Sequence, residues 1–383
     1  MYDFEHFPDR RQTESVKWGV YDPDVLPMWV ADMDFISPAP VMEALQKRVQ
    51  HGVFGYPMVT GEMKEVVVRR MAERYGWKVE PEDLLFVPGV VPGFNLVCQT
   101  FAGAGDSIIM QTPVYPPFLE APQNAQAEKI EIDLKQESSG RYVTDAAAFE
   151  AGIKPNTKVF MLCNPHNPVG RVYEKAELEQ LGEICLRHNL IICSDEIHSD
   201  IIFSGHHHLP IASLSEKLSR QTITLIAPSK TFNIAGLECS VIICQNQEYK
   251  KKLEIARRGL LGGVNLLGLV AGISAYRDGE GWLKELLAAL EKNRNLMVKF
   301  IQERLPEIKV YAPEATYLAW FDCRGLPFSE DPYEFFLKQA RVALNNGGEF
   351  GASGKGFLRF NFGCPTVMVE EALERMEKAV HRN

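Results

Sequence analysis

The chain lacks any C-x-x-C pair among its eight cysteines, which removes the usual signature of a zinc site or a dithiol redox motif. Cys98, Cys163, Cys185, Cys193, Cys239, Cys244, Cys323 and Cys364 are scattered, mostly inside apolar runs. They read as buried free thiols of a reducing compartment. Basic excess is missing too: 41 Lys and Arg face 50 Asp and Glu, a net charge of −9. That excludes the global footprint of a nucleic-acid binder, so any anion has to be met by a local site. Long apolar runs are scarce. The one membrane candidate, Gly259 to Tyr276, contains several glycines and Asn265 and barely reaches bilayer length. It is expected as a buried core helix in which Gly268 and Gly272 permit close helix contact. The opening MYDFEHF is acidic, with no basic segment followed by an apolar one. A cytoplasmic protein with no membrane partner is the expectation.

What is present is ordinary globular composition: 383 residues, 46% hydrophobic, 29 Gly and 23 Pro, a length suited to two domains. Short apolar runs recur at Leu84 to Val87, Ser107 to Met110, Val159 to Cys163, Leu190 to Cys193, Thr222 to Ile226 and Val241 to Cys244. They are too short for helices and too continuously apolar for half-exposed strands, so they read as strands covered on both faces. Between them Met63, Val67 and Met71, and then Leu178, Leu181 and Cys185, mark apolar helix faces. The alternation predicts an α/β fold, a large domain with a mainly parallel sheet between helices.

After about residue 280 the pattern changes. A long helix is expected from about Gly281 to Leu305, then strands in TYLAWF and FLRFNF, then a helix carrying Met368, Ala372 and Met376. This is read as a smaller α+β domain. The division is residues 1–45 as an N-terminal arm joining the small domain, 46–280 as the large domain and 281–383 as the small one.

Ligands of such sheets bind beyond the carboxyl ends of the strands. Four of those ends carry informative residues. Pro88-Gly89-Val90-Val91-Pro92-Gly93 opens a helix whose free N–H groups suit an anion, although a plain strand-to-helix turn reads the same way. Asn164-Pro165-His166-Asn167-Pro168-Val169-Gly170 is a rigid turn able to fix Asn167 as a donor. Asp195, in Ser194-Asp195-Glu196-Ile197-His198, needs a cationic or hydrogen-bonding partner, while Glu196 is free to cap a helix or sit in solvent. Lys230, in Ser229-Lys230-Thr231-Phe232-Asn233, is either a solvated amine or a desolvated one able to form a Schiff base. One lysine decides nothing. The set, however, matches what pyridoxal 5′-phosphate needs: a phosphate cradle, an amine for its aldehyde, a carboxylate for its ring nitrogen and a donor for its ring oxygen.

The series NPHNPVG, SDEIH, SKTFN and the arginine of FLRFNFG resembles the fold-type I pyridoxal-phosphate enzymes, the aspartate aminotransferase superfamily, along nearly the whole chain. MWVADMDF (Met28 to Phe35), AYRDGEGWL and NFGCP resemble its branch of cystathionine β-lyases and cysteine carbon–sulfur lyases. The resemblance implies the type I PLP-dependent transferase fold and a role for each matched position. Lys230 would form the Schiff base and remove the Cα proton, Asp195 would pair with the ring nitrogen, and Asn167 would bond the ring hydroxyl. Tyr115 would stack on the ring. Gly89, Val90, Val91 and Ser229 would hold the phosphate, with Tyr56 reaching in from a second subunit of a homodimer with shared active sites. Arg359 would grip the substrate carboxylate as a bidentate fork.

Two positions depart from the commoner aminotransferase pattern. Glu238 stands where many relatives carry an arginine for the phosphate, and it is expected to point away. His198 stands where a tyrosine usually lies beside the ring oxygen, and it is counted with the cofactor contacts. Both departures favour the lyase branch. The expected activity is β-elimination from cystathionine or related cysteine S-conjugates, giving thiol, pyruvate and ammonia. An aminotransferase is the alternative, with Arg257 and Arg258 as candidates for a second carboxylate against a plainer reading as solvated helix charges. A lyase that also binds a transcription regulator is a third. His206, His207 and His208 diverge as neighbours in a loop, so no metal is expected, and His166 is expected only to support its turn.

Overall fold

The computed structural model describes residues 2–327 and 329–382. Its central sheet has seven strands: β1 (Leu84–Val87), β2 (Ser107–Thr112), β3 (Glu128–Asp133), β4 (Thr157–Cys163), β5 (Ile191–Asp195), β6 (Thr222–Ile226) and β7 (Ser240–Ile243), in the order β1-β7-β6-β5-β4-β2-β3. β7 runs antiparallel to both of its neighbours, and the other pairings are parallel. The apolar runs follow from burial on two faces. In β4, Val159, Met161 and Cys163 join one core layer, while Phe160 and Leu162 join the layer that holds Leu178, Leu181 and Cys185.

β3 is not among the strands that the apolar runs predict. It is the edge of the sheet, and its sequence EKIEID is exposed at most positions. Charged side chains at an exposed edge leave no continuous apolar run to read, and they protect the edge from pairing with other chains.

Among the helices of the fold are α1 (Gly61–Tyr75), α2 (Val90–Phe101), α3 (Leu266–Asp278) and α4 (Glu280–Arg304). The expected core helix from Gly259 starts later, at Leu266, because Gly259 adopts φ +76° and Asn265 caps the helix by accepting from Gly268 N at 2.7 Å. Gly268 lies so close to the Leu237 carbonyl that a Cβ would collide with it, and Gly272 faces Met63 of α1. Among the described residues, no helix is long and apolar enough to cross a membrane.

A second, antiparallel sheet contains β8 (Lys309–Val310), β9 (Leu318–Asp322), β10 (Asn345–Asn346) and β11 (Phe357–Asn361), in the order β8-β9-β11-β10. The final helix, α5 (Thr366–His381), buries Met368, Ala372 and Met376 as its spacing predicts. Leu26–Pro27 of the N-terminal arm pairs in parallel with Val342–Ala343. The segment that follows, residues 28–35, touches both parts of the chain: Met28 O accepts from Asn361 N at 2.9 Å, and Met33 N donates to Asn233 Oδ1 at 3.0 Å.

Candidate active site

A cavity of about 340 Å³ opens beyond the carboxyl ends of β1, β4, β5 and β6. Gly89, Val90, Val91, Tyr115, Asn167, Asp195, His198, Ser229 and Lys230 all line it. Gly89 precedes α2, so the N–H groups of Val90 and Val91 fall in its first turn, where no intrahelical acceptor exists. Ser229 lies in the short helix Pro228–Thr231 and is buried. Helix N–H groups and a hydroxyl that line one cavity are donors suited to an anion.

Lys230 follows directly and sends Nζ to the Ala31 carbonyl at 2.7 Å. Burial pulls its amine down to about 8, with Asp32 opposing, Arg359 assisting and Asp195 opposing. Asp195 ends β5 with 5% exposure, and its one hydrogen bond comes from Ile197 N at 3.0 Å. Burial pushes this carboxyl up to about 7. Its anion is short of a partner, which a cation in the cavity would supply. His198 is buried, with Nδ1 unpartnered, and burial followed by the charges of Lys230 and Arg359 holds the imidazole down to about 3. It is a neutral hydrogen-bonding group there.

Arg359, in the middle of β11, is also buried. It donates to Asn167 Oδ1 (3.1 Å), to the Trp29 carbonyl (3.1 Å) and to Asn345 Oδ1 (2.6 Å), and its Nε is unpartnered. All three partners are neutral. Its guanidinium lies 5.0 Å from the Phe350 ring centroid, and burial lowers it to about 10. A buried cation without a counter-ion is set to receive one. Asn167 turns its carbonyl oxygen to Arg359, which leaves its N–H₂ as the donor.

Tyr56, expected to reach into a second subunit, is fully exposed and stands outside the cavity of its own chain. Not every other expectation is met. Glu238, expected to point away, is an exposed residue that nevertheless borders the cavity, in a left-handed turn at φ +50°. Glu196 neither caps a helix nor meets solvent. It is buried, accepting from Ser194 Oγ (2.9 Å) and meeting His208 Nε2 (2.8 Å). His208 is thereby a structural residue. Arg257 is committed to the Phe86 carbonyl (3.0 Å), and neither it nor Arg258 lines the cavity. His166 supports its turn, bonding the Pro113 carbonyl (2.7 Å) and the Tyr173 hydroxyl (3.1 Å).

The sequence reading missed the part played by residues 28–35. Their backbone supplies Ala31 O to Lys230 and Trp29 O to Arg359, while Tyr317 donates to the same Ala31 oxygen at 2.9 Å. Backbone carbonyls carry no sequence signal. Asn345, beside Asn346, and Asn361, two residues after Arg359, were visible but had no partner assigned.

The donor set fits pyridoxal 5′-phosphate. A cradle of N–H and hydroxyl groups suits the phosphate, Asp195 suits a protonated ring nitrogen, and Lys230 has a reactive amine. A mainly parallel sheet with these groups at its strand tips defines a fold-type I pyridoxal-phosphate enzyme. The chain belongs to the aminotransferase class I and II family, whose model matches residues 23–376. It is 40% identical over 388 residues to the cystathionine beta-lyase PatB of Bacillus subtilis (strain 168), covering 99% of this chain and 100% of that protein. It is also similar to the crystal structure of cystalysin from Treponema denticola, which contains a pyridoxal 5′-phosphate cofactor. That likeness has a TM-score of 0.96 and 35% identity over 100% of this chain and 99% of the other. The PLP-bound C-S lyase from Staphylococcus hominis matches with a TM-score of 0.92 and 33% identity, over all of both chains.

Proposed function

We infer that the protein is a pyridoxal-phosphate-dependent carbon–sulfur β-lyase that cleaves cystathionine or related cysteine S-conjugates to thiol, pyruvate and ammonia. The observation that carries this is the meeting of Lys230, Asp195 and the Val90–Val91 N–H groups in one cavity, in a chain similar throughout to cystathionine β-lyases. When bound, the cofactor supplies an electron sink that makes the Cα proton of an amino acid acidic.

The protein's own residues do the rest. Arg359, surrounded by neutral oxygens, holds the substrate α-carboxylate and so fixes the orientation of Cα. Lys230, lowered to about 8, has a sizeable neutral fraction near pH 7 and takes the Cα proton on Nζ. Ala31 O orients that amine. Asp195 holds a proton on the ring nitrogen by ion pairing, which offsets the burial of its own charge. His198 stays neutral and offers a hydrogen bond to the ring oxygen without adding charge. A thiol leaving group has a pKa near ~8.5, so it departs without a strong acid beside Cβ.

The working unit in this reading is a homodimer. Tyr56 lies in an exposed apolar stretch with Val53, Phe54 and Met58, and a second copy would cover that stretch and gain a tyrosine for its phosphate. Eight free, buried thiols support a reducing, cytoplasmic setting. Borohydride reduction of the cofactor-loaded protein followed by peptide mass mapping tests the assignment. The reading requires the added mass on the Lys230 peptide, and a label on another lysine contradicts it.

A further inference from the structure

The N-terminal arm sends two cations into the wall behind Lys230. Lys17 is buried, with Nζ 2.6 Å from Asp34 Oδ2, and neither side chain is exposed. Trp18 Nε1 adds a bond to Asp34 Oδ1 (2.8 Å). Arg10 forks onto Asp32, with NH2 to Oδ2 at 2.6 Å and NH1 to Oδ1 at 3.0 Å, and also reaches Asp34 Oδ1 at 2.7 Å. Other parts of the chain hold the backbone of the same turn. Asn361 Nδ2 donates to Asp32 O (2.7 Å), Asp34 N to Gly363 O (2.9 Å), and Met33 N to Asn233 Oδ1 (3.0 Å). The turn ends in the Ala31 carbonyl that accepts from Lys230 Nζ.

A buried ion pair contributes little net stability over well-packed apolar residues, so its presence here asks for another use. We propose that Arg10 and Lys17 are positioning residues for Lys230: Lys17 anchors the 31–34 turn, and Arg10 neutralises the carboxylate of Asp32, the residue next to the Ala31 carbonyl that accepts from the Lys230 amine. The proposal rests on Lys230 as the cofactor-linked lysine. The groups around that amine are Asp32 from the turn, Asp195 from β5 and Arg359 from β11, with His198 and Tyr317 as neutral neighbours. Of the two acids, Asp32 acts more strongly on the amine. Without Arg10, Asp32 loses its bidentate partner and keeps only Lys17 Nζ, 3.8 Å from Oδ1, so its charge acts more strongly on Lys230 and holds the proton there to higher pH.

The test uses apoprotein and pyridoxal phosphate, following the absorbance change of covalent capture across pH. Capture needs the neutral amine, so its midpoint reports Lys230. Arg10→Gln moves the midpoint up by about half a unit, which slows capture about threefold at neutral pH, and adding Asp32→Asn restores it. Lys17→Met slows capture at every pH. Should Lys17→Met fail to fold, the partly exposed Arg10 still decides the matter. A folded Arg10→Gln protein with the wild-type midpoint overturns the proposal alone. A wild-type protein that captures no pyridoxal phosphate overturns the cofactor reading, and this proposal with it.

Discussion

The carboxamide oxygen of Asn167 accepts from Arg359 NH1 at 3.1 Å, across 192 residues of sequence. One bond thus joins the group assigned to the ring oxygen to the group assigned to the substrate carboxylate. Asn167→Ala removes a donor from the cofactor and leaves a buried guanidinium N–H unpaired. It should raise both the cofactor Kd and the substrate KM, each by about tenfold. Fluorescence titration of apoprotein and steady-state kinetics check this, and a change in only one of the two constants contradicts the coupling.

Arg359 is planar and surrounded, with neutral acceptors already fixing its fork. Arg359→Lys keeps a positive charge but loses the bidentate geometry. A fall of about a hundredfold in kcat/KM, or ~2.7 kcal/mol of transition-state stabilisation, is expected. An unchanged kcat/KM would remove Arg359 from substrate binding.

Asp195 gives a pH dependence of known sign. Its folded value, about 7, lies above the ordinary carboxylate value of 3.8. The folded apoprotein therefore binds a proton that the unfolded chain releases, and this contribution to stability is lost as pH rises from about 4 through 7. At pH 8 the Asp195→Asn apoprotein should resist urea more than wild type, by about 1–3 kcal/mol, while the loaded variant loses most activity. Equal stability at pH 8 would contradict the burial of an unpaired carboxylate.

His198 titrates in the other direction. Its folded value of about 3 lies below the ordinary 6.5, so its contribution is fully present above pH 6.5 and is lost as pH falls toward 3. His198→Asn should flatten the acid limb of urea stability between pH 6.5 and 4 by up to about 1.4 kcal/mol per pH unit. An unaltered slope would mean that the imidazole is not held neutral.

The strands that carry Gly89, Asn167, Asp195 and Lys230 were legible because two-sided burial forces continuous apolar runs, and the chemistry falls at their ends. β3 was hidden because an edge strand keeps its charged side chains. Arg359 was legible only through resemblance, since an arginine within a strand has no spacing rule of its own. Glu196 and His208 form a buried pair that local sequence could not foretell, because their contact depends on how the 199–210 loop returns. The Ala31 carbonyl is a backbone atom whose role follows from tertiary path alone. Tyr56 remains assigned by resemblance, with its exposure agreeing with a contact to a second copy.

The central claim is tested most directly by supplying the cofactor-loaded protein with cystathionine and no keto acid, and measuring pyruvate and free thiol together. The account predicts equal amounts of both from wild type, and neither above background from Lys230→Ala. Absence of both products without a keto acid, with amino-group transfer when one is added, would contradict it and make the protein an aminotransferase.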